Sequence, residues 1–427
     1  MKHLAWVHTL PHSWETKPLR ATVDYVVSNV DKVPADDEVP VRLCNYTDVY
    51  NNEFITLDLD FMQATATEAE IAKFGIAVDD VIITKDSESW DDIGIPALVR
   101  ETAPDLVCGY HLAVLRSRKQ QVTGAFLFRC LQAKPVRVQL ELAANGVTRF
   151  GIPKSEIGAL TLPVPSLPKQ RAIADYLDRE TERIDALIAT KERLLELLTE
   201  KRRALITRVV TRGLDPKAPL RDSGIPWLGE IPTHWQTERA RWLFRERDQR
   251  SETGKEELLT VSHLTGVTPR SEKDVNMFEA ETKEGYKICL KGDLVINTLW
   301  AWMGAMGVTP LNGIVSPAYN VYEPKRQLEP GYVDALVRLP QFAQEVTRYS
   351  KGVWSSRLRL YPEGFFEAYL PVPPLDEQCA ILNNIAHETS KIDAFRTGSE
   401  HTVALLKERR AALIAAAVTG QINIGDA

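Results

Sequence analysis

The chain has 427 residues, of which 44% are hydrophobic, and a formal net charge of -6 at pH 7. This length predicts two or three domains, each with enough apolar residues to form a core. The negative net charge excludes a uniformly basic protein that coats nucleic acid. A basic face on one part of the surface remains compatible with this net charge. No apolar run is long enough for a membrane helix, and the first residues lack the core of a signal peptide. The 5 scattered cysteines predict free thiols, so we expect a cytoplasmic protein.

Residues 1–161 predict a first globular domain, because short β-like runs and turn signals dominate this part of the chain. Ile76–Thr84 is typical of a turn that leads into a buried strand. Arg129 and Arg137 alternate with apolar residues, a pattern that favours the exterior of a strand. We expect a mixed α/β domain of the α+β class with a strongly bent sheet.

Residues 162–213 predict a long spacer helix. The prolines of a Pro-Val-Pro segment predict an extended backbone before the helix, which is expected to begin near Pro168. Lys169–Arg212 contains neither Gly nor Pro, which at about 1.5 Å per residue gives a rod of roughly 66 Å. Gly213 then supplies a stop.

This helix carries a heptad repeat of mostly apolar residues, the pattern of a coiled-coil seam. The apolar seam residues are Leu177, Ile184, Ile188, Leu195, Leu198 and Leu205. We therefore expect a second helix to pack along this seam.

Residues 214–369 predict a second globular domain. Its opening, Ile231–Trp235, is similar to Leu10–Trp14, and Cys289–Asn297 parallels Ile76–Thr84. The rest of the two domains diverges. The pattern indicates similar scaffolds that carry different surfaces.

Residues 370–427 predict a second spacer helix, because this block repeats the first one at a constant offset of 208 residues without a gap. About 22 of 53 paired positions are identical, including the pairs Gln170/Gln378, Asp185/Asp393 and Arg202/Arg410. The apolar seam residues of the second helix are Ile385, Ile392, Val403, Leu406 and Leu413. We expect the two helices to pack antiparallel, because the chain forms a whole globular domain between the end of the first helix and the start of the second. The alternative is that each helix packs only on its own domain.

Three motifs carry a resemblance to a known family. The first is Asp222–Trp235, with the sequence DSGIPWLGEIPTHW. The second is Leu370–Gln378, with the sequence LPVPPLDEQ, which leads into the second helix. The third is an Ile-Asp pair followed by a long helix that ends in Lys-Arg-Arg or Glu-Arg-Arg and then Leu-Ile. The equivalent segment before the first helix, residues 162–170, departs from this pattern, because Pro168 and Lys169 stand where Asp376 and Glu377 stand in the second copy. Together the motifs resemble the specificity subunits of type I restriction–modification systems.

The resemblance implies an α+β fold with two target-recognition domains, separated by two long antiparallel coiled-coil helices in a pseudo-twofold internal repeat. It implies that each domain binds one half of a split, asymmetric double-stranded DNA site and that the helices set the gap. It also implies two methyltransferase subunits, which bind S-adenosylmethionine and methylate adenine N6, and two restriction subunits, which use ATP and Mg. This chain is expected to hold no cofactor itself.

Recognition of DNA needs basic groups for phosphates and planar hydrogen-bonding groups for base edges. In the first domain, residues 106–140 contain no Asp or Glu, and the basic cluster there consists of Arg116, Arg118 and Lys119. This cluster is the best candidate for a contact loop, and its alternative is a solvated turn. Lys85 follows the predicted buried strand and Arg149 precedes the first helical block, so both are further candidates.

In the second domain, residues 348–359 combine basic and aromatic candidates, namely Arg348, Lys351, Trp354, Arg357 and Arg359. They occupy the same place in the repeat as 145–149, which favours a shared DNA-facing loop over a simple connection into the helix. Trp300 and Trp302 follow Asn297 and are candidates for groove contact, although such aromatics more often belong to a core.

The sequence contains no GxxxxGK[ST] phosphate loop, no Asn-Pro-Pro-aromatic element and no histidine spacing typical of a metal site. We therefore expect a chain that binds and positions while its partners catalyse. Two alternatives stay open: a stand-alone coiled-coil DNA-binding scaffold or regulator, and an enzyme with an unrecognised active site. Co-purification with a methyltransferase discriminates between them and the leading interpretation.

Overall fold

A computed structural model describes residues 4–31, 33–273, 282–352 and 358–425. The chain forms two compact units, the first made of Met1–Arg193 with Glu400–Ala427 and the second of Leu194–Ser399. Each unit therefore contains one variable domain together with parts of both long helices. The second unit is continuous in sequence, whereas the first is not.

The main sheet of the first unit has five strands, in the spatial order Val23–Val27, Leu112–Ser117, Val81–Thr84, Pro96–Val99 and Phe54–Ile55. All neighbours are antiparallel except the last pair. The central strand Val81–Thr84 is fully buried, as its apolar sequence predicts. Smaller sheets pair Glu15–Pro18 with Thr161–Val164, join Met62–Ala66, Val39–Cys44 and Leu106–Cys108, and join Asn145–Gly146, Phe150–Gly151 and Asp86–Ser87.

Short helices cover these sheets. Besides a 3-10 turn at Ala5–Thr9, they are Leu19–Thr22, Tyr46–Asn51, Glu68–Phe74, Gly124–Gln132, Lys134–Ala143 and Lys154–Ala159. The expectation that Arg129 and Arg137 lie on strand exteriors is wrong, because both are helical. Thr123 caps the first of their helices by accepting a hydrogen bond from the Phe126 N–H. Arg129 is buried there and pairs with Asp178 at 2.6 Å.

The core of the first unit draws on both long helices. Ile173 and Leu177 come from the first helix, whereas Ile414, Ala417 and Val418 come from the second, and all five are buried in one apolar cluster with the domain. The domain core is thus completed by a segment that lies more than 200 residues away in sequence.

The second unit has a four-stranded antiparallel sheet, in the order Phe244–Glu246, Tyr319–Pro324, Leu294–Asn297 and Met306–Val308. Four further antiparallel pairs are Gln236–Arg239 with Tyr369–Val372, Leu259–Ser262 with Gly266–Pro269, Lys287–Cys289 with Gly313–Val315, and Leu220–Asp222 with Glu230–Pro232. Its helices are Ala240–Leu243, Pro330–Val337, Pro340–Arg348 and Pro362–Glu367, with 3-10 turns at Arg270–Glu272 and Ala301–Met303.

The two domains share a scaffold at the level of individual hydrogen bonds. The Ile152 N–H donates to the Lys85 carbonyl at 2.9 Å, and the Leu360 N–H donates to the Thr298 carbonyl at 3.1 Å. Ile152 and Leu360 are repeat partners in the sequence. The loops that precede them therefore occupy the same position in the two domains, as the sequence predicts.

The two long helices run from Leu167 to Arg212 and from Leu375 to Val418. The first has 46 residues and is about 69 Å long. It ends at Gly213, whose φ of 73° is the left-handed conformation that glycine adopts without steric cost. The second continues through Gly398 without a break.

The helices pack against each other antiparallel in their middle parts. In the first unit, Ile184, Ile188 and Val403 are buried together, with Leu406 and Leu413 partly buried against them. In the second unit, Leu205 and Ile385 pack against the core of the domain instead. The seam residues Leu195 and Leu198 are half-buried, and Ile392 is buried. Both expected modes of packing therefore occur, each on a different stretch of helix.

Among the described residues, no helix is long and apolar enough to cross a membrane.

Candidate nucleic-acid interface

A groove of about 950 Å³ opens in the first domain where the central strand Val81–Thr84 ends. We call it the first groove. It is lined by Asp31, Tyr46, Thr47, Tyr50, Asp86, Ser87, Glu88, Ser89, Asp92, Tyr110, His111, Thr148 and Arg149.

A chain of four polar side chains links one wall of the first groove to the other. Asp86 accepts from Lys85 Nζ on one carboxylate oxygen at 2.8 Å, and its other oxygen lies 2.6 Å from His111 Nδ1. His111 Nε2 in turn lies 2.8 Å from a guanidinium nitrogen of Arg149. Two of the residues predicted from the sequence to contact DNA, Lys85 and Arg149, are thus brought together.

A short hairpin presents Arg149. Asn145–Gly146 pairs with Phe150–Gly151, which also pairs with Asp86–Ser87. Gly146 is required at this turn, because a Cβ there would lie 1.9 Å from the Arg149 carbonyl oxygen. Arg149 is exposed at the end of the hairpin.

Tyr46 and Tyr50 form another wall. Both tyrosines belong to the helix Tyr46–Asn51, whose N-terminus is capped by Asn45. In this capping box the Asp48 carboxylate accepts from the Asn45 N–H at 2.7 Å. One helical turn apart, the two rings stack with centroids 5.5 Å apart. Tyr50 donates to Asp92 at 2.6 Å, and this hydrogen bond raises the pKa of the Tyr50 hydroxyl. Burial raises the pKa of the Tyr46 hydroxyl. Both phenols therefore stay protonated hydrogen-bonding groups at neutral pH.

The second domain has a groove of about 470 Å³, which we call the second groove. It is lined by Leu258, Leu259, Thr260, Val261, Ser262, His263, Arg270, Lys283, Tyr286, Asn297, Trp300, Ala305, Ser316 and Tyr319. Trp300 is half exposed and stacks on Trp302, whose indole N–H donates to the Leu299 carbonyl at 3.1 Å. Trp300 therefore faces the groove, while Trp302 supports it.

The two grooves occupy equivalent places. Thr84 pairs with Leu112 at the edge of the first groove, and Asn297 pairs with Tyr319 at the edge of the second. In each domain the groove lies where the central strand ends and its antiparallel neighbour begins. This relationship is independent of the sequence identity between the helical blocks.

The two grooves differ in charge. Four carboxylates line the first groove, together with the single guanidinium of Arg149. The described lining of the second groove contains Arg270, Lys283 and His263 and no carboxylate. Equivalent positions therefore carry different chemistry, as expected for similar scaffolds with different surfaces.

The basic loop of the second domain is described in part. Lys351 and Arg359 are exposed and joined by two backbone hydrogen bonds of 2.9 Å. Arg348 is largely exposed and pairs with Glu345 at 3.0 Å. The candidates Trp354 and Arg357 lie outside the described residues.

The cluster Arg116, Arg118 and Lys119 lies elsewhere. Arg116 lies in the strand Leu112–Ser117, at the end away from the first groove, and Arg118 and Lys119 follow that strand. Arg116 makes a two-pronged contact with Asp80 at 2.9 and 2.6 Å, and Arg118 contacts Asp24 at 3.1 and 2.6 Å. Lys119 is exposed. The structure thus separates this cluster from Lys85 and Arg149, and its contact with DNA stays a prediction.

Sequence reasoning missed the acidic and aromatic lining of the first groove, above all Asp86, His111 and the two tyrosines. One signal was available: Asp86 directly follows Lys85, and His111 directly precedes the apolar strand Leu112–Ser117. Among the described residues, no cluster of three or more His, Cys, Asp or Glu side chains is arranged to hold a metal ion.

Comparison with known proteins places the chain among relatives. Residues 40–197 match the family model of the type I restriction modification DNA specificity domain. The chain is 22% identical over 228 residues to the putative type I restriction enzyme MjaX specificity subunit of Methanocaldococcus jannaschii, covering 53% of this chain and 52% of that protein. It is 25% identical over 227 residues to the type I restriction enzyme StySPI specificity subunit of Salmonella potsdam, covering 51% and 47%. The chain thus spans about half the length of the curated relatives that it matches.

Solved structures match over nearly the whole chain. One belongs to work described as the structural basis underlying complex assembly and conformational transition of the type I R-M system, with a TM-score of 0.71 at 17% identity, covering 97% of this chain and 99% of that one. The HsdS subunit from Thermoanaerobacter tengcongensis matches with a TM-score of 0.55 at 16% identity, covering 97% and 98%. These matches show the fold. Residues 40–197 thus match the type I restriction modification DNA specificity domain, and the chain is similar to type I restriction enzyme specificity subunits.

Proposed function

We propose that this chain is the non-catalytic subunit that gives a type I restriction–modification complex its DNA specificity. Each domain binds one half of a bipartite, asymmetric double-stranded DNA site through its groove and the adjoining basic loop. One observation carries the proposal: two grooves lie at equivalent places of a repeated scaffold and have different linings. Two equal scaffolds with unlike recognition surfaces are what an asymmetric split site requires.

The long helices set the distance between the two half-sites. A helix of about 69 Å matches about two turns of B-DNA, since one turn is about 34–36 Å. We propose that the exposed faces of the helices dock two methyltransferase subunits, which bind S-adenosylmethionine and methylate adenine N6. Two restriction subunits then add ATP- and Mg-dependent cleavage. The complex works in the cytoplasm, a location that the free cysteines support.

Methylome sequencing of cells with and without this chain tests the proposal. The expected result is one bipartite methylated-adenine motif that disappears when the chain is removed. An unchanged methylome, with the methyltransferase subunits expressed, contradicts the proposal.

Co-purification tests the partners. A stable complex with two methyltransferase subunits is expected. A chain that stays alone and binds one short continuous DNA site is instead the stand-alone coiled-coil scaffold or regulator, and catalytic turnover by the purified chain indicates an unrecognised active site.

A further inference from the structure

The imidazole of His111 lies between a carboxylate and a guanidinium in the first groove. Its Nδ1 is 2.6 Å from Asp86, and its Nε2 is 2.8 Å from Arg149. Both ring nitrogens are therefore engaged, and the two partners come from different segments of the chain.

This arrangement fixes the protonation state of the ring. A guanidinium has only donors and stays charged, so Arg149 donates and His111 Nε2 accepts. A nitrogen that accepts carries no proton. The ring is consequently neutral, and Nδ1 carries the proton that is donated to Asp86.

The backbone of His111 is held in an unfavourable conformation. Among the described residues, only Asp79 and His111 have a positive φ without being glycine, and that of His111 is 73°. Both residues lie in turns, and the Asp79 carboxylate accepts from the Gly124 N–H at 3.0 Å, which ties that turn to the following helix. At His111 the same conformation places the ring between Asp86 and Arg149. Backbone strain of this kind persists where the surrounding structure imposes it, and it is concentrated at functional sites.

Other charged and titratable groups face the same groove. Lys85 contacts the second oxygen of Asp86, and the Tyr110 ring centroid is 3.7 Å from that of His111. The remaining ionisable lining residues are Asp31, Glu88, Asp92, Tyr46 and Tyr50. Arg149 is the only Lys or Arg among the described lining residues, so it is the charged donor of this lining for a phosphate or for the acceptor edge of a guanine.

We propose that His111 is a positioning residue: as a neutral imidazole oriented by Asp86, it holds the Arg149 guanidinium for contact with the DNA half-site of the first domain. This inference rests on the proposed function. A side chain at position 111 that offers no acceptor to Arg149 leaves the guanidinium unheld, and recognition of this half-site is then weaker.

The experiment uses the full chain assembled with its methyltransferase subunits and a duplex that carries the motif found by methylome sequencing. Affinity is compared with that for two duplexes, each altered in one half-site. The Arg149→Ala variant identifies the half-site of the first domain. We expect Arg149→Ala to lower discrimination at this half-site about tenfold and to leave discrimination at the other half-site unaffected.

Two substitutions separate positioning from folding. His111→Asn tolerates the left-handed backbone, but its amide is too short to reach Arg149, so we expect about tenfold lower discrimination at the half-site of the first domain. His111→Gln places an oxygen near the position of Nε2, so discrimination is expected to recover. His12→Asn is the matched control, since His12 is exposed in the same unit, and it should behave as the parent chain does.

Two results overturn the role of His111. One is full discrimination by His111→Asn or by Arg149→Ala. The other is an equal loss of affinity for all duplexes in both His111 variants, which indicates a purely structural residue. If the parent complex distinguishes no duplex, the proposed function itself fails, and the role of His111 fails with it.

Discussion

Arg410 forms a two-pronged ion pair with Asp185 across the two long helices, at 2.8 and 3.1 Å. The same pair recurs with the helices exchanged, because Arg202 lies 3.6 Å from Asp393. Arg202 and Arg410 are repeat partners, as are Asp185 and Asp393. From Asp185 to Arg202 the residue number in the first helix rises, while that of the partner in the second helix falls from 410 to 393. This order shows that the helices are antiparallel. The duplication in the sequence therefore appears as a duplicated contact between helices.

We expect Arg410→Gln to destabilise the chain more than Arg202→Gln does. Arg410 is only 17% exposed and also contacts Glu53 at 2.7 and 2.8 Å, so its loss leaves two carboxylates without their partner. The expected loss in the free energy of unfolding is about 1–3 kcal/mol for Arg410→Gln. It is below about 1 kcal/mol for Arg202→Gln, since that pair is nearly half exposed. Urea unfolding followed by circular dichroism measures both, and equal losses contradict the prediction.

Gln170→Leu should be strongly destabilising. The buried Gln170 amide donates to the carbonyls of Gln121 and Pro165 and accepts from the Thr123 N–H, each at 2.9 Å. Its repeat partner Gln378 donates to Pro373 and accepts from the Glu329 N–H. The glutamine that recurs in both blocks thus anchors the start of each long helix to its domain.

Leucine at either position leaves buried polar groups without partners, and we expect a loss of about 2–4 kcal/mol in the free energy of unfolding. Gln63→Leu is the control, because Gln63 is exposed, and its effect should stay within about 0.5 kcal/mol. A loss at Gln170 or Gln378 no larger than that of the control counts against this role.

Arg116 and Arg118 should respond differently to alanine. Arg116 pairs with Asp80, whose side chain is 3% exposed, so Arg116→Ala strands a buried carboxylate and is expected to cost about 1–3 kcal/mol. Arg118 pairs with Asp24, which is 65% exposed, and Arg118→Ala should cost less than about 1 kcal/mol. Thermal unfolding of the two variants checks this order. If Arg118→Ala is as destabilising as Arg116→Ala, burial of the partner does not determine the effect.

Lys351→Ala and Arg359→Ala should weaken DNA binding in a salt-dependent way. Each exposed cation that neutralises a phosphate releases counterions, so each variant is expected to lower the slope of log Kd against log salt by about one. Binding titrations across a salt series measure this slope. Arg326→Ala, an exposed arginine of the same domain, is the control. A slope that does not differ from that of the control removes this loop from the interface.

The carboxyl group of Asp105 should titrate below its usual range. Arg42 donates two hydrogen bonds of 2.8 Å to it, and this contact lowers the pKa of Asp105. A carboxylate with a lowered pKa stabilises the fold above the unfolded value of about 4, and the stabilisation is lost as the pH falls through the folded value. Arg42→Gln is expected to raise the pKa of Asp105 toward its ordinary value and to reduce the acid dependence of stability. Carboxyl titration by NMR checks the direction, and an unchanged pKa contradicts it.

The long helices and the repeat were predictable because their signals are local and periodic. The absence of Gly and Pro between Lys169 and Arg212 predicts a helix that begins two residues earlier in the structure. The apolar run at Val81–Thr84 likewise predicts a buried strand. By contrast, most residues of the nine-residue helix Gly124–Gln132 are buried, including Arg129, so this arginine among apolar residues does not mark a solvent-facing position. The prediction of a strand exterior at Arg129 assumes such a position.

The first groove was not predictable as a site. Its walls come from segments around Asp31, Tyr46, Asp86, His111 and Arg149, which meet only through long-range strand pairing. No local pattern specifies which strands become neighbours. Lys85 and Arg149 were found because they are basic, whereas the carboxylate and imidazole that connect them have no such signal of their own.

The discontinuity of the first unit has a consequence for how the chain matures on the ribosome. The second unit is one continuous segment, so all of its core residues are available once Ser399 has emerged. Ile414, Ala417 and Val418 complete the core of the first unit, yet they are synthesised after everything in the second. We therefore expect the first domain to keep an open apolar surface until these residues have been synthesised, and the first unit to close after the second unit has been translated.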